Sequence, residues 1–91
     1  MIAAVFEAKL TREQAEQLVE LMRAGHATRP PAVISTALML DGEDARLIAF
    51  WPDRESYDAY AASVPAPRGV EFMRRVGAEP TVRIVDTLQL G

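Results

Sequence analysis

Three segments of this chain, residues 2–9, 32–40 and 45–51, are rich in strand-forming residues and carry apolar side chains at both odd and even positions. Because successive strand residues point to opposite faces, such strands need cover on both sides. Ile2, Ala4, Phe6, Ile34, Leu38, Leu40, Ile48 and Phe50 form the even class, and Ala3, Val5, Val33, Ala37, Met39, Leu47, Ala49 and Trp51 the odd one. Neither class is polar. The chain has 91 residues, enough for one domain with one layer of helices and no second domain to cover the other face. An open sheet face of several hundred Å² leaves on the order of 10 kcal/mol of burial unrealised at about 25 cal/mol per Å². A second copy of the chain is the expected cover, in a two-fold homodimer packed sheet to sheet.

The remaining segments supply the helices. Thr11-Arg12-Glu13-Gln14 reads as a capping box ahead of a helix whose stripe is Ala15, Leu18, Val19 and Met22, with Gly25 placed to close it in the left-handed region. Residues 26–31 form a loop interrupted by Pro30 and Pro31, and Asp41-Gly42-Glu43-Asp44 turns the second strand (32–40) back into the third (45–51). Pro52 stops the third strand and Asp53 caps a helix over 54–64, bearing Tyr57, Tyr60, Ala61 and Val64. After Pro65-Ala66-Pro67, a short helix over 69–76 carries Phe72, Met73 and Val76, and 81–90 reads as the last strand. The order βαββαβ is that of an α+β, ferredoxin-like sandwich with a four-stranded antiparallel sheet.

Composition narrows the function classes. Thirteen acidic and ten basic residues are scattered in sign, giving a formal charge of −3 and no electrostatic footprint for nucleic acid or an anionic membrane. With no cysteine and one histidine, no usual metal site is expected. The apolar start, Met1 to Phe6, is interrupted by Glu7 and Lys9 and is too short for a signal segment, so a cytoplasmic protein is expected.

The element order, the proline-marked entry to the second strand and the stretch LIAFWPDRESYDAY over 47–60 resemble the antibiotic biosynthesis monooxygenase family of the dimeric α/β-barrel superfamily, across nearly the whole of 1–91. The resemblance implies a pocket between helices and sheet in each subunit of a homodimer, binding a small aromatic or polyketide-like molecule. It further implies an oxidoreductase using molecular oxygen without metal or flavin. Trp51 and Tyr57 match the tryptophan and tyrosine that line the pocket in members oxidising quinone precursors. Catalytic members also use an asparagine, and this chain has none.

Each candidate has a structural reading beside the functional one. Trp51 ends a strand, where a lone tryptophan also serves as core. Tyr57 and Tyr60 could stabilise an ionised phenol, or be core tyrosines with wet hydroxyls. His26 is the default base by its ordinary pKa, or a surface loop residue. Glu7 interrupts an apolar strand and is either a proton acceptor or the partner of Arg46 or Arg83. Met22, Met39 and Phe72 are pocket liners or plain core. Two functions stand against each other: a cofactor-independent monooxygenase with Trp51, Tyr57, Glu7 and His26 as catalytic residues and Tyr60, Phe72, Met39 and Met22 holding substrate, or a non-catalytic dimeric small-molecule-binding or interaction module. An isomerase or decarboxylase on the same scaffold would differ in consuming no oxygen.

Overall fold

The computed structural model describes residues 1–88 and 90. Its elements are β1 (Ile2–Lys9), α1 (Arg12–Ala24), β2 (Ser35–Asp41), β3 (Asp44–Trp51), α2 (Arg54–Ser63), α3 (Arg68–Arg75) and β4 (Thr81–Asp86), with a single 3-10 turn at His26–Thr28. The four strands form one antiparallel sheet in the order β2-β3-β1-β4, the expected ferredoxin-like α+β architecture. Among the described residues, no helix is long and apolar enough to cross a membrane.

The local signals form as expected. Thr11 Oγ1 accepts from the Gln14 amide at 3.2 Å while Gln14 Oε1 accepts from the Thr11 amide at 2.9 Å, closing the capping box of α1. Asp53 Oδ1 accepts from the Ser56 amide at 2.7 Å and starts α2. Gly42, at φ 60°, occupies the first position of the two-residue hairpin loop between β2 and β3, where a positive φ suits the twist of the flanking strands.

Several expectations are corrected. The second strand begins at Ser35 rather than 32, because Pro30 to Val33 closes a turn through the Val33 amide and the Pro30 carbonyl at 3.1 Å. The last strand ends at Asp86 rather than 90, where its pairing with β1 runs out at Ile2; Gln89, within the expected range, lies outside the described residues. Gly25 closes α1 at φ −88°, not in the left-handed region. A glycine is needed there for space instead: a Cβ would lie 2.6 Å from Arg68 Nη2 and 3.0 Å from the Phe72 ring.

Register decides which residues share a face. Ile2 pairs with Trp51, Ala4 with Ala49 and Phe6 with Leu47, so even positions of β1 share a face with odd positions of β3. This face meets the helices: Ile2, Ala4, Phe6, Leu47 and Trp51 join Ala15 and Leu18 of α1, Tyr57 of α2 and Val70 and Met73 of α3 in one buried cluster. Among the described residues, no layer covers the opposite face. At one end its rows read Ser35, Phe50, Ala3, Val85, then Ala37, Ile48, Val5, Arg83. The third row, Met39, Arg46, Glu7 and Thr81, is mostly polar. The sheet is thus apolar on both faces, as the strand sequences require, with Met39 and Val85 exposed on the uncovered side.

Candidate functional site

Between the helices and the sheet lies a cavity of about 80 Å³, floored by Phe6, Leu47 and Ala49 and walled by residues of α2, α3 and the α1–β2 loop. It is smaller than the roughly 150 Å³ of an engineered core that holds benzene, so an aromatic ligand entering it would project through its mouth.

Its aromatic wall follows directly from the sequence. Trp51 is the last residue of β3, Pro52 stops the strand, and the Asp53 cap starts α2 so early that Tyr57 falls in its first turn and Tyr60 one turn later. The Trp51 and Tyr57 rings meet edge to face, 5.4 Å between centroids at 77°, and Tyr60 lies tilted against Trp51 at 5.1 Å. Trp51 is 2% exposed and its indole Nε1 is buried without a hydrogen-bond partner among the described residues. Burial pushes the Tyr57 phenol above its ordinary value, helped by Tyr60 and Asp58, so at neutral pH it is a protonated donor and not a base.

The first turn of α3 forms the other wall. Pro67 offers no side-chain cap; the Tyr60 hydroxyl instead accepts the Arg68 amide at 2.9 Å. Arg68 folds over the Phe72 ring, 5.0 Å from its centroid, and its Nη2 donates to the Gly25 carbonyl. Its Nη1 is buried with no partner, and no carboxylate forms an ion pair with Arg68 among the described residues. Arg29, His26 and Thr36 complete the polar lining, His26 and Thr36 being exposed.

Six of the eight expected site residues line this cavity: Trp51, Tyr57, His26, Tyr60, Phe72 and Met22. Glu7 and Met39 do not. Both sit on the uncovered face of the sheet, Met39 opposite Arg46 and Glu7 between Arg46 and Arg83, since each has the strand parity that points away from the helices. Arg83 Nε donates to Glu7 Oε1 at 2.9 Å and Arg46 Nε to Oε2 at 3.3 Å. The bonds from Arg83 and then Arg46 hold the Glu7 carboxyl below its ordinary range. The ion-pair reading of Glu7 is therefore the one its surroundings support, and a carboxylate so held is a poor proton acceptor. Arg68 and Arg29 are the residues the sequence did not single out: an arginine next to a proline looks like any solvated charge until the absence of an acidic neighbour is seen in space.

No family model matches the sequence, and no curated protein does. Solved structures share the fold, among them two crystal structures. A protein of Deinococcus radiodurans, provisionally named an antibiotic biosynthesis monooxygenase, superposes with a TM-score of 0.65 over 99% of this chain and 95% of that one, at 10% identity. A second crystal structure, named an antibiotic biosynthesis monooxygenase, gives 0.62 over 98% and 100%, at 20% identity. The likeness is one of fold, the one that the strand order and the Trp51 region suggested.

Proposed function

We propose that the chain is a cofactor-independent monooxygenase that oxidises a small electron-rich aromatic with O₂ in the cavity beside Trp51. The observation that carries this reading is the convergence of Trp51, Tyr57 and Tyr60, from a strand end and the helix that follows it, on one apolar cavity with polar groups at its rim. The names of two structures that share the fold agree with it. In the reaction, one C–H position para to a phenolic oxygen becomes a carbonyl. The four electrons removed reduce O₂, one oxygen atom entering the ring and the other leaving as water. The substrate supplies the electrons once its phenol has lost a proton. Tyr57, held protonated by burial, donates a hydrogen bond to the resulting oxyanion, and His26 at the mouth is the remaining candidate for accepting the proton now that Glu7 lies on the other face.

Incubation with a panel of dihydroxynaphthalenes and anthrones in air and under nitrogen tests it. Quinone product formed only in air, and reduced at least tenfold by Trp51→Phe with Tyr57→Phe, is the expected result; identical product profiles in the two atmospheres overturn it. A second reading, a module that binds a metabolite without transforming it, is favoured by the small cavity volume and by the absence of asparagine. Saturable binding of the same compounds with no oxygen consumed would select it. In either case a second copy of the chain covers the apolar sheet face, giving a homodimer.

A further inference from the structure

The lining of the cavity is one-sided in charge and in hydrogen-bonding sense. Of its sixteen residues, Arg29, Arg68 and His26 can carry positive charge, and none is Asp or Glu. Neither arginine forms an ion pair among the described residues, although seven other such pairs are present. The buried polar side-chain atoms without partners are likewise donors: among the described residues, Arg68 Nη1 and Trp51 Nε1 are the two left unbonded. Because the Tyr60 hydroxyl oxygen accepts the Arg68 amide, its own proton is free to be donated. A guanidinium cannot shed its charge on burial as a lysine can, so an unpaired one in an apolar wall is costly unless something anionic completes it.

Arg68 is also held in place. Its Nη2 is fixed on the Gly25 carbonyl, its plane lies over Phe72, and the glycine at 25 leaves no room for a side chain between them. Two anchors fix the guanidinium and leave Nη1 for a third group. A flat ring among Trp51, Tyr60 and Phe72, with an oxyanion at its Arg68 end, satisfies the aromatic walls and the unbonded donors together.

We propose that the cavity selects a small aromatic anion, a single ring bearing a carboxylate or phenolate oxygen, which Arg68 receives through Nη1 with the Trp51 indole N–H as second donor. The proposal rests on the cavity being a ligand site, but not on oxygen chemistry, so it is tested by binding at equilibrium. Titrations of the full chain with benzoate, and separately with its neutral isostere benzamide, are followed at neutral pH by the NMR signal of the indole N–H, which is unique because Trp51 is the only tryptophan. Benzoate is expected to bind at least tenfold more tightly than benzamide and to move the indole signal downfield as it gains an acceptor. Arg68→Gln should abolish that preference, bringing the benzoate and benzamide affinities together, and Arg68→Lys should restore part of it. A nitrophenol titrated below and above its own ionisation separates the two oxyanion sources, the ionised form binding more tightly if a phenolate is received. Equal affinity for benzoate and benzamide in the unsubstituted chain, no saturable shift with benzoate, or a preference that persists in Arg68→Gln would each overturn the proposal. The first two outcomes need no variant to fold. A chain that prefers benzoate but forms no quinone in air leaves this inference standing and removes the monooxygenase reading alone.

Discussion

Gly69 lies against the Phe6 ring so closely that a methyl group there would sit 2.6 to 2.7 Å from three of its carbons. Alanine would gain about 1 kcal/mol of helix propensity, while forcing the buried Phe6 ring aside costs about 1–3 kcal/mol. The second effect wins. Gly69→Ala should lower stability by about 1 kcal/mol, read as a lower urea midpoint at unchanged m-value. Tyr60→Phe keeps the ring contact with Trp51 but removes the oxygen that receives the first amide of α3. Because Pro67 provides no substitute cap, the variant should lose about 1–2 kcal/mol and show faster amide exchange at Arg68. At this scale the sequence was readable wherever the signal is local. Thr11 with Gln14 and Asp53 with Ser56 announce their caps by spacing, and the Trp51-Pro52-Asp53 run announces both a strand end and a helix start. Gly25 was misread because a glycine after a helix suggests a backbone conformation, whereas here it makes room for an arginine 43 positions away.

Among the elements, β1 is the one whose two sides do different work. Its even residues meet the helices, while on the other side Glu7 lies directly opposite Arg46 and diagonal to Arg83, whose own partner is Val5. The two arginines depress the carboxyl pKa relative to its unfolded value near 4.5. A depressed folded value means that the ion pairs add stability above the unfolded pKa, and that this contribution is lost as pH falls through the lower, folded one. Glu7→Gln should therefore be less stable than the parent at pH 6, with the gap closing as pH drops below about 4.5; urea midpoints of both proteins from pH 6 to 3 measure it. Acid loss that Asp53 and Glu79 also contribute, both being lowered by hydrogen bonds, is common to the two proteins and cancels. The sequence alone leaves Glu7 and Met39 as pocket candidates because parity within a strand does not say which face is which. That is fixed only by register between strands, here the pairing of Ile2 with Trp51.

For the molecule as a whole, the uncovered face of the sheet presents two largely apolar rows. Ala3 and Val5, buried at 4% and 7% exposure, lie outside the helix-side core and are sheltered by their neighbours on the open face, while Met39 and Val85 stand 49% and 40% exposed. The chain at micromolar concentration should sediment at twice its 10.0 kDa mass, and Ile48→Glu, which places a charge in the row between Ala37 and Val5, should return it to the mass of one chain. The apolar character of both sheet faces was visible in the strand sequences because no choice of parity made either face polar. The chemistry of the cavity was less so: its aromatic wall is contiguous in sequence, but its cationic side depends on Arg68 lacking a neighbour, and a missing contact leaves no mark on a linear string. Phe6 forms part of the cavity floor and the next residue, Glu7, belongs to the opposite face. Strand β1 is therefore a single pleated partition between the cavity and the uncovered sheet face, and a tilt or slide of the strand on one side is felt on the other. By reciprocity, occupancy of the cavity and association of two chains would then shift one another by the same factor.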